Sequence, residues 1–285
     1  MPGILTPARW RAQVKSDWER GAIGWERFEP ELMYSLGAVD PALVRALDLK
    51  PGHRLLDVGC GSGEPSLTLA KLVAPRGEVL GLDVSRPMLE VARRRARYQG
   101  VTNARFKAGD IARFDPGPMR FDRAVSRYGL MFADDIPAAL AGIRAALRPG
   151  GRAVFAVWGP VERNPYFGAR ARVIRPFMKE PPPDPEHAPH PLRLARPGLL
   201  ARLMRRAGFR GVKSAGVAAP LTYGSLDQIL EINLDVPGAI RDLYLNLSRA
   251  DQRRLRGRFA RALRPFQSGP LIRAPGFAWV VSGHR

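Results

Sequence analysis

Short apolar runs alternate with longer amphipathic stretches between about residue 54 and residue 158 of the chain. Such alternation is typical of parallel strands that are joined by helices. The pattern predicts five strands, which are Arg54 to Val58, Glu78 to Leu82, Ala104 to Lys107, Phe121 to Ser126 and Arg152 to Trp158. It therefore indicates an α/β fold with a doubly wound, mostly parallel sheet.

Helix-start signals lie between these apolar runs. Ser85 and Asp135 each precede a helical pattern and are predicted to cap it, because their side-chain oxygens can accept from free backbone N–H groups of the first turn. Asp40-Pro41 carries the same signal, with Asp40 as the expected N-cap and a proline at the first helical position. A further helix is predicted from about Pro65 to Val73.

The segments around this pattern predict additions to a central core at residues 38–159. Residues 1–37 carry Trp10, Trp18 and Trp25 among charged residues, which indicates an N-terminal helical cap. Residues 160–196 are rich in proline and are predicted to form an insertion or lid with one short helix. Residues 197–285 are expected to complete the core with two more strands, Val212 to Ala218 and Phe277 to Ser282, around a helical insertion at 226–263.

The formal net charge of +20 over 285 residues would ordinarily indicate a polyanionic partner. Nearly all of this charge is arginine spread along the whole chain. This distribution favours a generally arginine-rich composition over a basic surface that binds a polyanion. Two runs, at 93–97 and 253–264, have helical spacing and are interpreted as solvated helix faces. Nucleic-acid binding through these arginines stays open as the less favoured alternative.

Cysteine and histidine restrict the chemistry further. Cys60 is the only cysteine, so an intramolecular disulfide and a cysteine-rich metal site are excluded. His187 and His190 lie in the proline-rich run and are interpreted as parts of a solvated loop, so no metal site is predicted. No apolar stretch reaches the length of a membrane span and no leader pattern is visible, so we expect a cytoplasmic protein.

A glycine-rich turn follows the first predicted strand. The strand ends with Asp57, and Gly59, Gly61 and Gly63 lead into the next helix, presenting bare backbone to a ligand above the carboxyl ends of the strands. A dinucleotide site requires glycine or alanine where this chain has Glu64, and a carboxylate is unfavourable beside a pyrophosphate. The turn therefore favours a nucleoside ligand without phosphate.

Two further carboxylates follow in the expected order. Asp83 ends the second strand, where it can accept from both ribose hydroxyls, although a capping role in the turn is the alternative. Asp110 follows the third strand and can accept from an adenine amino group, with Met88 and Ile111 packing on the faces of the ring. Together with the turn, these residues indicate an adenosine-containing ligand.

These motifs resemble those of the class I S-adenosylmethionine-dependent methyltransferases, and most of all the bacterial ubiquinone/menaquinone-type group. The resemblance rests on Leu56 to Gly63, Gly81 to Leu89 and Gly109-Asp110, and it covers about residues 25–158. It implies a seven-stranded sheet with an antiparallel last strand, S-adenosyl-L-methionine as cofactor, and methyl transfer. The residues predicted to bind the cofactor are Asp57, Gly59, Gly61, Gly63, Asp83, Val84, Met88, Asp110, Ile111 and Ser126.

The acceptor is less well defined by the sequence. Tyr128 follows the fourth strand and is the candidate catalytic residue, as a positioning group or base, with a packed aromatic as an equal alternative. Trp25, Tyr34 and Arg127 are candidate covers of the cofactor or pocket, with core packing as an equal alternative for Trp25 and Tyr34. The N-terminal segment, the insertion at 160–196 and the helical stretch at 226–263 are all expected to form the acceptor pocket.

We expect a small-molecule acceptor that is apolar or aromatic, because the segments predicted to enclose it are rich in aromatic residues. A catalytic metal is not expected. Two alternatives remain open, namely an RNA methyltransferase that uses the arginine faces and a protein that binds S-adenosylmethionine without catalysis. The oligomeric state is left open.

Overall fold

A computed structural model describes residues 5–180, 184–236 and 239–285 of the chain. A seven-stranded sheet forms its centre, and a small antiparallel sheet lies apart from it. The strands of the described residues, in chain order, are β1 (Arg54–Val58), β2 (Glu78–Asp83), β3 (Ala104–Ala108), β4 (Phe121–Arg127), β5 (Leu147–Trp158), β6 (Arg210–Ala218), β7 (Leu221–Tyr223), β8 (Gln267–Ser268), β9 (Leu271–Ala274) and β10 (Phe277–His284).

The large sheet has the strand order β3-β2-β1-β4-β5-β10-β6. Strands β1 to β5 pair in parallel, whereas β10 is antiparallel to both of its neighbours, β5 and β6. The order reverses between β1 and β4, which opens a crevice at the carboxyl ends of these strands. The predicted doubly wound sheet with an antiparallel last strand is confirmed.

Helices cover both faces of this sheet and its carboxyl edge. The described helices are α1 (Pro7–Arg27), α2 (Glu29–Leu36), α3 (Asp40–Leu47), α4 (Ser66–Val73), α5 (Arg86–Tyr98), α6 (Ile136–Ala146), α7 (Pro165–Ile174), α8 (Leu199–Arg206), α9 (Leu226–Asp235), α10 (Ala239–Leu245) and α11 (Arg249–Leu263). Within the described ranges, no helix combines the length and the apolar composition that a membrane crossing requires.

The sheet is buried on both faces because its central strands are almost entirely apolar. Leu55 and Leu56 point to opposite faces of β1, and neither is accessible to solvent. Phe121 and Phe155 belong to the same core on β4 and β5. Burial on both faces explains why these strands read as continuous apolar runs in the sequence.

Two of the three predicted helix caps are confirmed. The Ser85 hydroxyl accepts from the Met88 N–H at 3.4 Å, and the Asp135 carboxylate accepts from the Ala138 N–H at 2.8 Å. The prediction for Asp40 is wrong, because Asp40 is the first residue within α3 and makes no cap bond. Its carboxylate instead accepts from the Arg127 guanidinium at 2.8 Å, so a long-range ion pair replaces the local cap.

The antiparallel sheet β7-β9-β8 is not predicted by the sequence pattern. Its strands have two to four residues, which is too short for an alternating pattern to be recognised. The Ser35 hydroxyl joins α2 to this sheet by donating to the Thr222 carbonyl at 2.8 Å and accepting from the Thr222 N–H at 3.0 Å. The stretch at 226–263 contains α9, α10 and α11.

Helix α1 approaches α9 closely at Gly24. A Cβ atom at this position would overlap the backbone carbonyl of Asp235, which cannot move without displacing the end of α9. Arg27, at the end of α1, donates to Asp235 and Glu231 at 3.2 and 3.0 Å. This contact fixes where α1 lies relative to the rest of the protein.

We expect Gly24→Ala to destabilise the fold by about 1–3 kcal/mol, because overpacking outweighs the gain in helix propensity. Gly257→Ala is the matched control, since Gly257 lies inside α11 with only the end of the Arg261 side chain near a new Cβ, at 3.7 Å. The control should stabilise the protein by about 0.5–1 kcal/mol. Thermal and urea unfolding measure both, and equal behaviour of the two variants would contradict the close contact.

Candidate functional site

A cavity of about 460 Å³ lies at the carboxyl edge of the large sheet. Its floor is formed by the residues that follow β1, β2, β3 and β4, and its opposite wall is one face of α1. The predicted cofactor residues that line it are Gly59, Gly61, Asp83, Val84, Met88, Asp110 and Ile111. Tyr128, Trp25 and Arg127 line it as well.

The glycine turn approaches the end of β4 closely. Gly59 and Gly61 have φ angles of 70° and 51°, which favour glycine. A Cβ at Gly59 would lie 3.0 Å from the Gly129 Cα, and a Cβ at Gly61 would lie 3.2 Å from the end of Met88. The backbone of the turn therefore takes the place that a side chain would otherwise occupy.

Asp83 is held by backbone donors on both sides. One carboxylate oxygen accepts from the Gly61 N–H at 2.9 Å and the other from the Ser85 N–H at 2.9 Å. Burial raises the pKa of Asp83, while these backbone N–H groups oppose the rise. The carboxylate thus has a structural role in the turn and also lines the cavity, where its remaining lone pairs can accept from a ligand.

Asp110 lies at the next edge of the cavity, after β3. It accepts from the Ala112 N–H at 3.0 Å and from the Arg113 guanidinium at 2.6 Å. Met88 and Ile111 are 2% and 7% exposed and line the space beside it. A carboxylate acceptor between two apolar side chains suits a flat heterocycle that carries an amino group.

Two predicted cofactor residues belong to the layer beneath the turn rather than to the cavity wall. Asp57 is completely buried and accepts from the Ser66 hydroxyl at 2.5 Å. Gly63 contacts the helices, because a Cβ there would lie 3.2 Å from Ala92 and 3.3 Å from Leu67. Asp57 and Gly63 therefore support the turn from outside the cavity lining, and cofactor binding by these two residues stays a prediction.

Two other predicted residues also lie outside the cavity lining. Ser126 is fully buried and accepts from the Leu130 N–H at 3.1 Å, so it organises the end of β4. Tyr34 is 73% exposed on α2 and covers neither end of the cavity. Both corrections have the same cause: a strand or helix position does not reveal which way the side chain points until the neighbouring elements are placed.

Tyr128 occupies an unusual position on the floor of the cavity. Its φ angle is 58°, a conformation that side-chain-bearing residues rarely adopt. The ring stacks on Trp158 with 4.2 Å between centroids, and the buried hydroxyl has no hydrogen-bond partner among the described residues. Burial raises the pKa of Tyr128, which disfavours it as a base. A positioning role stays a prediction.

One face of α1, together with Phe132, forms what we call the aromatic wall: Trp10, Val14, Trp18, Trp25 and Phe132. The Trp18 ring packs edge-on against Trp25 and Phe132 with centroid distances of 5.3 and 5.4 Å. The Trp10 indole N–H donates to the Phe132 carbonyl at 2.9 Å. Of these residues only Trp25 is predicted from the sequence as a pocket cover, although spacings of four, four and seven residues place all four α1 positions on one helix face.

A chain of charges connects the aromatic wall to the floor. Asp134 accepts from Arg11 of α1 at 2.6 Å and from Arg113 at 3.2 Å, and Arg113 also donates to Asp110. The Asp134 side chain is only 3% exposed. Burial opposes its ionisation, but the bonds from Arg113 and Arg11 outweigh burial and lower the pKa of Asp134. The sequence offers no signal for a pairing across 123 residues.

Arg127 lies at the base of the cavity, and its guanidinium is hydrogen-bonded to other groups of the protein. Its guanidinium donates to Asp40 at 2.8 Å and to the Glu64 carbonyl at 3.0 Å, and the side chain is 4% exposed. It thereby joins α3 to the glycine turn. Arg127 lines the cavity as predicted, yet its hydrogen bonds show a supporting role for the floor.

The insertion at 160–196 and the helical stretch at 226–263 do not line the cavity in the part of the chain that the structure describes. The expectation that they form the pocket is corrected, because α1 already fills the space opposite the floor. The insertion supports this wall from behind: the Arg193 guanidinium lies 4.3 Å from the Trp10 ring centroid and donates to the Ala133 carbonyl.

His190 differs from the predicted solvated histidine. Its ring accepts from the Leu192 N–H at 3.1 Å, and burial together with Arg170 lowers its pKa to about 4. Residues 181–183 of the same run lie outside the described residues. Across the described ranges, no cluster of three or more histidine, cysteine or carboxylate side chains has the arrangement of a metal site.

The strand order, with its antiparallel β10, and an adenosine-type site at the switch point define the class I methyltransferase fold. A family model for the methyltransferase domain matches residues 55–151. The YcgJ protein of Bacillus subtilis superposes with a TM-score of 0.56 at 21% identity, covering 88% of this chain and 98% of that one.

Two curated relatives agree with this class. The 2-phytyl-1,4-naphtoquinone methyltransferase of Synechococcus elongatus is 40% identical over 105 residues, which are 36% of this chain and 45% of that enzyme. The nocamycin O-methyltransferase of Saccharothrix syringae is 32% identical over 208 residues, 67% of this chain and 69% of that enzyme. The chain therefore belongs to the S-adenosylmethionine-dependent methyltransferases.

The similarity is concentrated in the cofactor-binding core. For three relatives that are 40% or 41% identical, the aligned part spans only 32% to 45% of their own length. The aromatic wall lies on α1, before the residues that the family model matches. The similarity thus defines the family and its cofactor, whereas the acceptor depends on the residues that line the cavity.

We expect Asp134→Asn to loosen the aromatic wall, because an amide cannot replace the two charge-assisted bonds to Arg11 and Arg113. Tryptic cleavage after Lys15 and Arg20 should accelerate severalfold. Asp17→Asn is the matched control, since Asp17 pairs with Arg20 on the exposed side of α1, where ion pairs contribute little. Equal cleavage rates in the two variants would contradict the role of Asp134.

We also expect Asp57 to make stability depend on pH. Burial first of all, opposed by the Ser66 and Arg127 contacts, raises the pKa of Asp57 from 3.8 to about 7. The unfolded chain therefore releases this proton at lower pH than the folded chain. The contribution of Asp57 to the free energy of unfolding falls as pH rises from about 4 to about 7, by at most about 1.4 kcal/mol per pH unit.

Asp57→Asn removes this titration, so the stability of the variant relative to the native protein should rise across the same pH range and level off above it. Urea unfolding at a series of pH values measures the difference. Asp115→Asn, which changes an exposed carboxylate, should track the native protein throughout. A difference between Asp57→Asn and native protein that does not change with pH would contradict this assignment.

Proposed function

We propose that the protein transfers a methyl group from S-adenosylmethionine to a small-molecule acceptor with an apolar or aromatic body. The observation that carries this proposal is the continuity of one cavity from Asp83 and Asp110 on the floor to the aromatic wall. Methyl transfer requires both reactants in one enclosed space, with the reacting atoms in line and water excluded. The cavity offers such a space.

The residues present suit S-adenosylmethionine. Asp83 has lone pairs free for the ribose hydroxyls, Asp110 can accept from the adenine amino group, and Met88 and Ile111 can cover the ring. At Gly61 the bare turn leaves open a position that a Cβ would fill against Met88. When bound, the cofactor supplies a methyl group on a positively charged sulfur, which is a reactive donor without further activation.

The protein itself then orients the donor and the acceptor and excludes water from the cavity. The glycine turn and Asp83 hold one side of the cavity in a fixed backbone conformation, because each oxygen of Asp83 is bonded to a different part of the turn. The aromatic wall closes the other side, and Tyr128, whose hydroxyl is buried, lines the floor. This arrangement lowers the barrier mainly through proximity and exclusion of water.

An apolar or aromatic acceptor is supported by the composition of the wall. Three indoles and one phenyl ring face the cavity from the side opposite the floor. Such surfaces favour flat or apolar molecules by burial and by stacking. A small-molecule acceptor also agrees with the names of two relatives, a methyltransferase of a phytyl-naphthoquinone and one of nocamycin.

RNA as the acceptor is less well supported. The first arginine run is engaged within the protein: Arg94 donates to Glu26 at 2.7 Å and Arg95 to Glu29 at 2.6 Å. Arg93 donates to the Phe106 carbonyl at 2.7 Å. Arginines that neutralise acids of the same protein release fewer counterions from RNA. Retention on RNA that disappears with increasing salt would support this alternative.

Calorimetry with S-adenosylmethionine and S-adenosylhomocysteine tests the cofactor site. We expect both to bind, and we expect Asp83→Ala to weaken binding at least tenfold, because two ribose hydroxyls lose a charged acceptor. Asp227→Ala, which removes an exposed carboxylate of α9, is the control and should bind normally. Failure of the native protein to bind either compound would refute the proposal.

Transfer itself is measured with methyl-labelled S-adenosylmethionine and a set of phenols, hydroquinones and other small aromatic acceptors. We expect labelled product with at least one of them. Binding of the donor without transfer to any acceptor, RNA included, would favour a protein that only binds S-adenosylmethionine.

A further inference from the structure

Most ionisable groups that line the cavity are already bonded to other groups of the protein. Asp134 and Asp110 share Arg113, and Arg11 completes this cluster. Glu64 accepts from Thr68 at 2.9 Å and lies 3.5 Å from Arg95. The remaining lining groups that can carry charge are Lys15, Cys60, Asp83, Arg86, Arg127 and Tyr128, and burial raises the pKa of the Cys60 thiol.

None of the lining acids has the properties of a general base. A base needs a free lone pair near the acceptor and a pKa close to the working pH. Two cationic partners lower the pKa of Asp134, and burial raises that of Tyr128 far above neutrality. Asp83 belongs to the cofactor end. Among the described residues, no histidine lines the cavity.

Lys15 of α1 is a lining cation beside the aromatic wall, and it has no close ionic partner among the described residues. It lies on the same face of α1 as Arg11 and Trp18, one helical turn from each. Its nearest acid is Glu19 of the same helix at 3.9 Å, and both side chains are partly exposed. Pairs of this kind contribute little, so the ammonium group is free to bind an anion at the cavity.

We propose that the acceptor binds as an oxyanion on an aromatic or conjugated body, with Lys15 as its cationic partner and no protein base in the transfer step. This inference rests on the proposed function and narrows its substrate class to acidic hydroxyl compounds, such as acidic phenols and enols. A neutral amine or an alcohol of low acidity lies outside this class.

The transfer balances without a proton acceptor in the cavity. The oxyanion loses its proton to solvent before or during binding. Its electron pair then forms the new oxygen–methyl bond, while the methyl–sulfur bond breaks and that electron pair stays on sulfur. A negative and a positive charge become a neutral ether and a neutral thioether, so charge is removed from a partly apolar space.

Positive charge beside the acceptor favours its anionic form over its neutral form. The Lys15 ammonium, on a side chain that is 54% exposed, and the sulfonium of the cofactor both attract an oxyanion. The aromatic wall contributes apolar contact to the body of the acceptor. The oxyanion also loses part of its hydration, which increases its nucleophilicity.

Binding of 4-nitrophenol to the protein saturated with S-adenosylhomocysteine tests this inference, because the phenolate has its own visible absorption band. We expect the bound probe to ionise at lower pH than the free probe. At a pH where the free probe is ionised, it should bind roughly tenfold more tightly than the neutral methyl ether 4-nitroanisole, as expected for one charge-assisted contact. Both readouts are independent of turnover.

Lys15→Gln should abolish most of the difference between the two probes, whereas Lys213→Gln on β6 should preserve it. Lys213 is exposed on a strand outside the cavity and gives the same change in charge. Equal affinity for the two probes, no binding of either, or ionisation of the bound phenol at higher pH would overturn the inference. Failure of the proposed function appears separately, as absent binding of S-adenosylhomocysteine in the first titration.

Discussion

The close approach of the glycine turn to the end of β4 is the constraint on which the site depends. Gly59 can lie against Gly129 only because neither residue has a side chain, and Tyr128 takes a left-handed conformation directly before this contact. The hydrogen bond from the Gly61 N–H to Asp83 then fixes the turn relative to β2. The backbone of this turn therefore sets the shape of the cavity floor, which lies within the residues that the family model matches.

The second part of the site is helix α1, which precedes the residues that the family model matches. Helix α1 contributes the aromatic wall and is held by long-range contacts: Arg11 to Asp134, Trp10 to the Phe132 carbonyl, and Gly24 against Asp235. Because Asp134 also reaches Arg113 and Asp110, the wall and the cofactor floor share one charged cluster. This arrangement couples the position of the aromatic wall to that of the floor.

Much of the fold follows from local signals. Strand β1 has the predicted bounds, and Ser85 and Asp135 cap the predicted helices, because apolar runs and capping acceptors act over a few residues. The small sheet β7-β9-β8 could not be predicted, since strands of two to four residues have no recognisable period. Asp40 shows why local signals are not sufficient. Its carboxylate accepts from Arg127, which is distant in the sequence, and does not cap α3.

The site was predictable where function is carried by backbone and by strand ends, as at Gly61, Asp83 and Asp110. The site was not predictable where the orientation or the pairing of a side chain determines whether it reaches the cavity, as for the buried Ser126 and the exposed Tyr34. The aromatic wall lies between these cases, because the helical spacing of Trp10, Val14, Trp18 and Trp25 was visible but its partner was not. Charged pairs such as Arg11 with Asp134 depend on the completed fold.

The central claim is that donor and acceptor meet in one cavity between the glycine turn and the aromatic wall. A crystal structure of the protein with S-adenosylhomocysteine tests it most directly. The account predicts the ribose at Asp83, the adenine beside Asp110, and the thioether sulfur facing the space below Trp18 and Phe132. A ligand bound elsewhere, or one whose sulfur faces away from α1, would contradict the account.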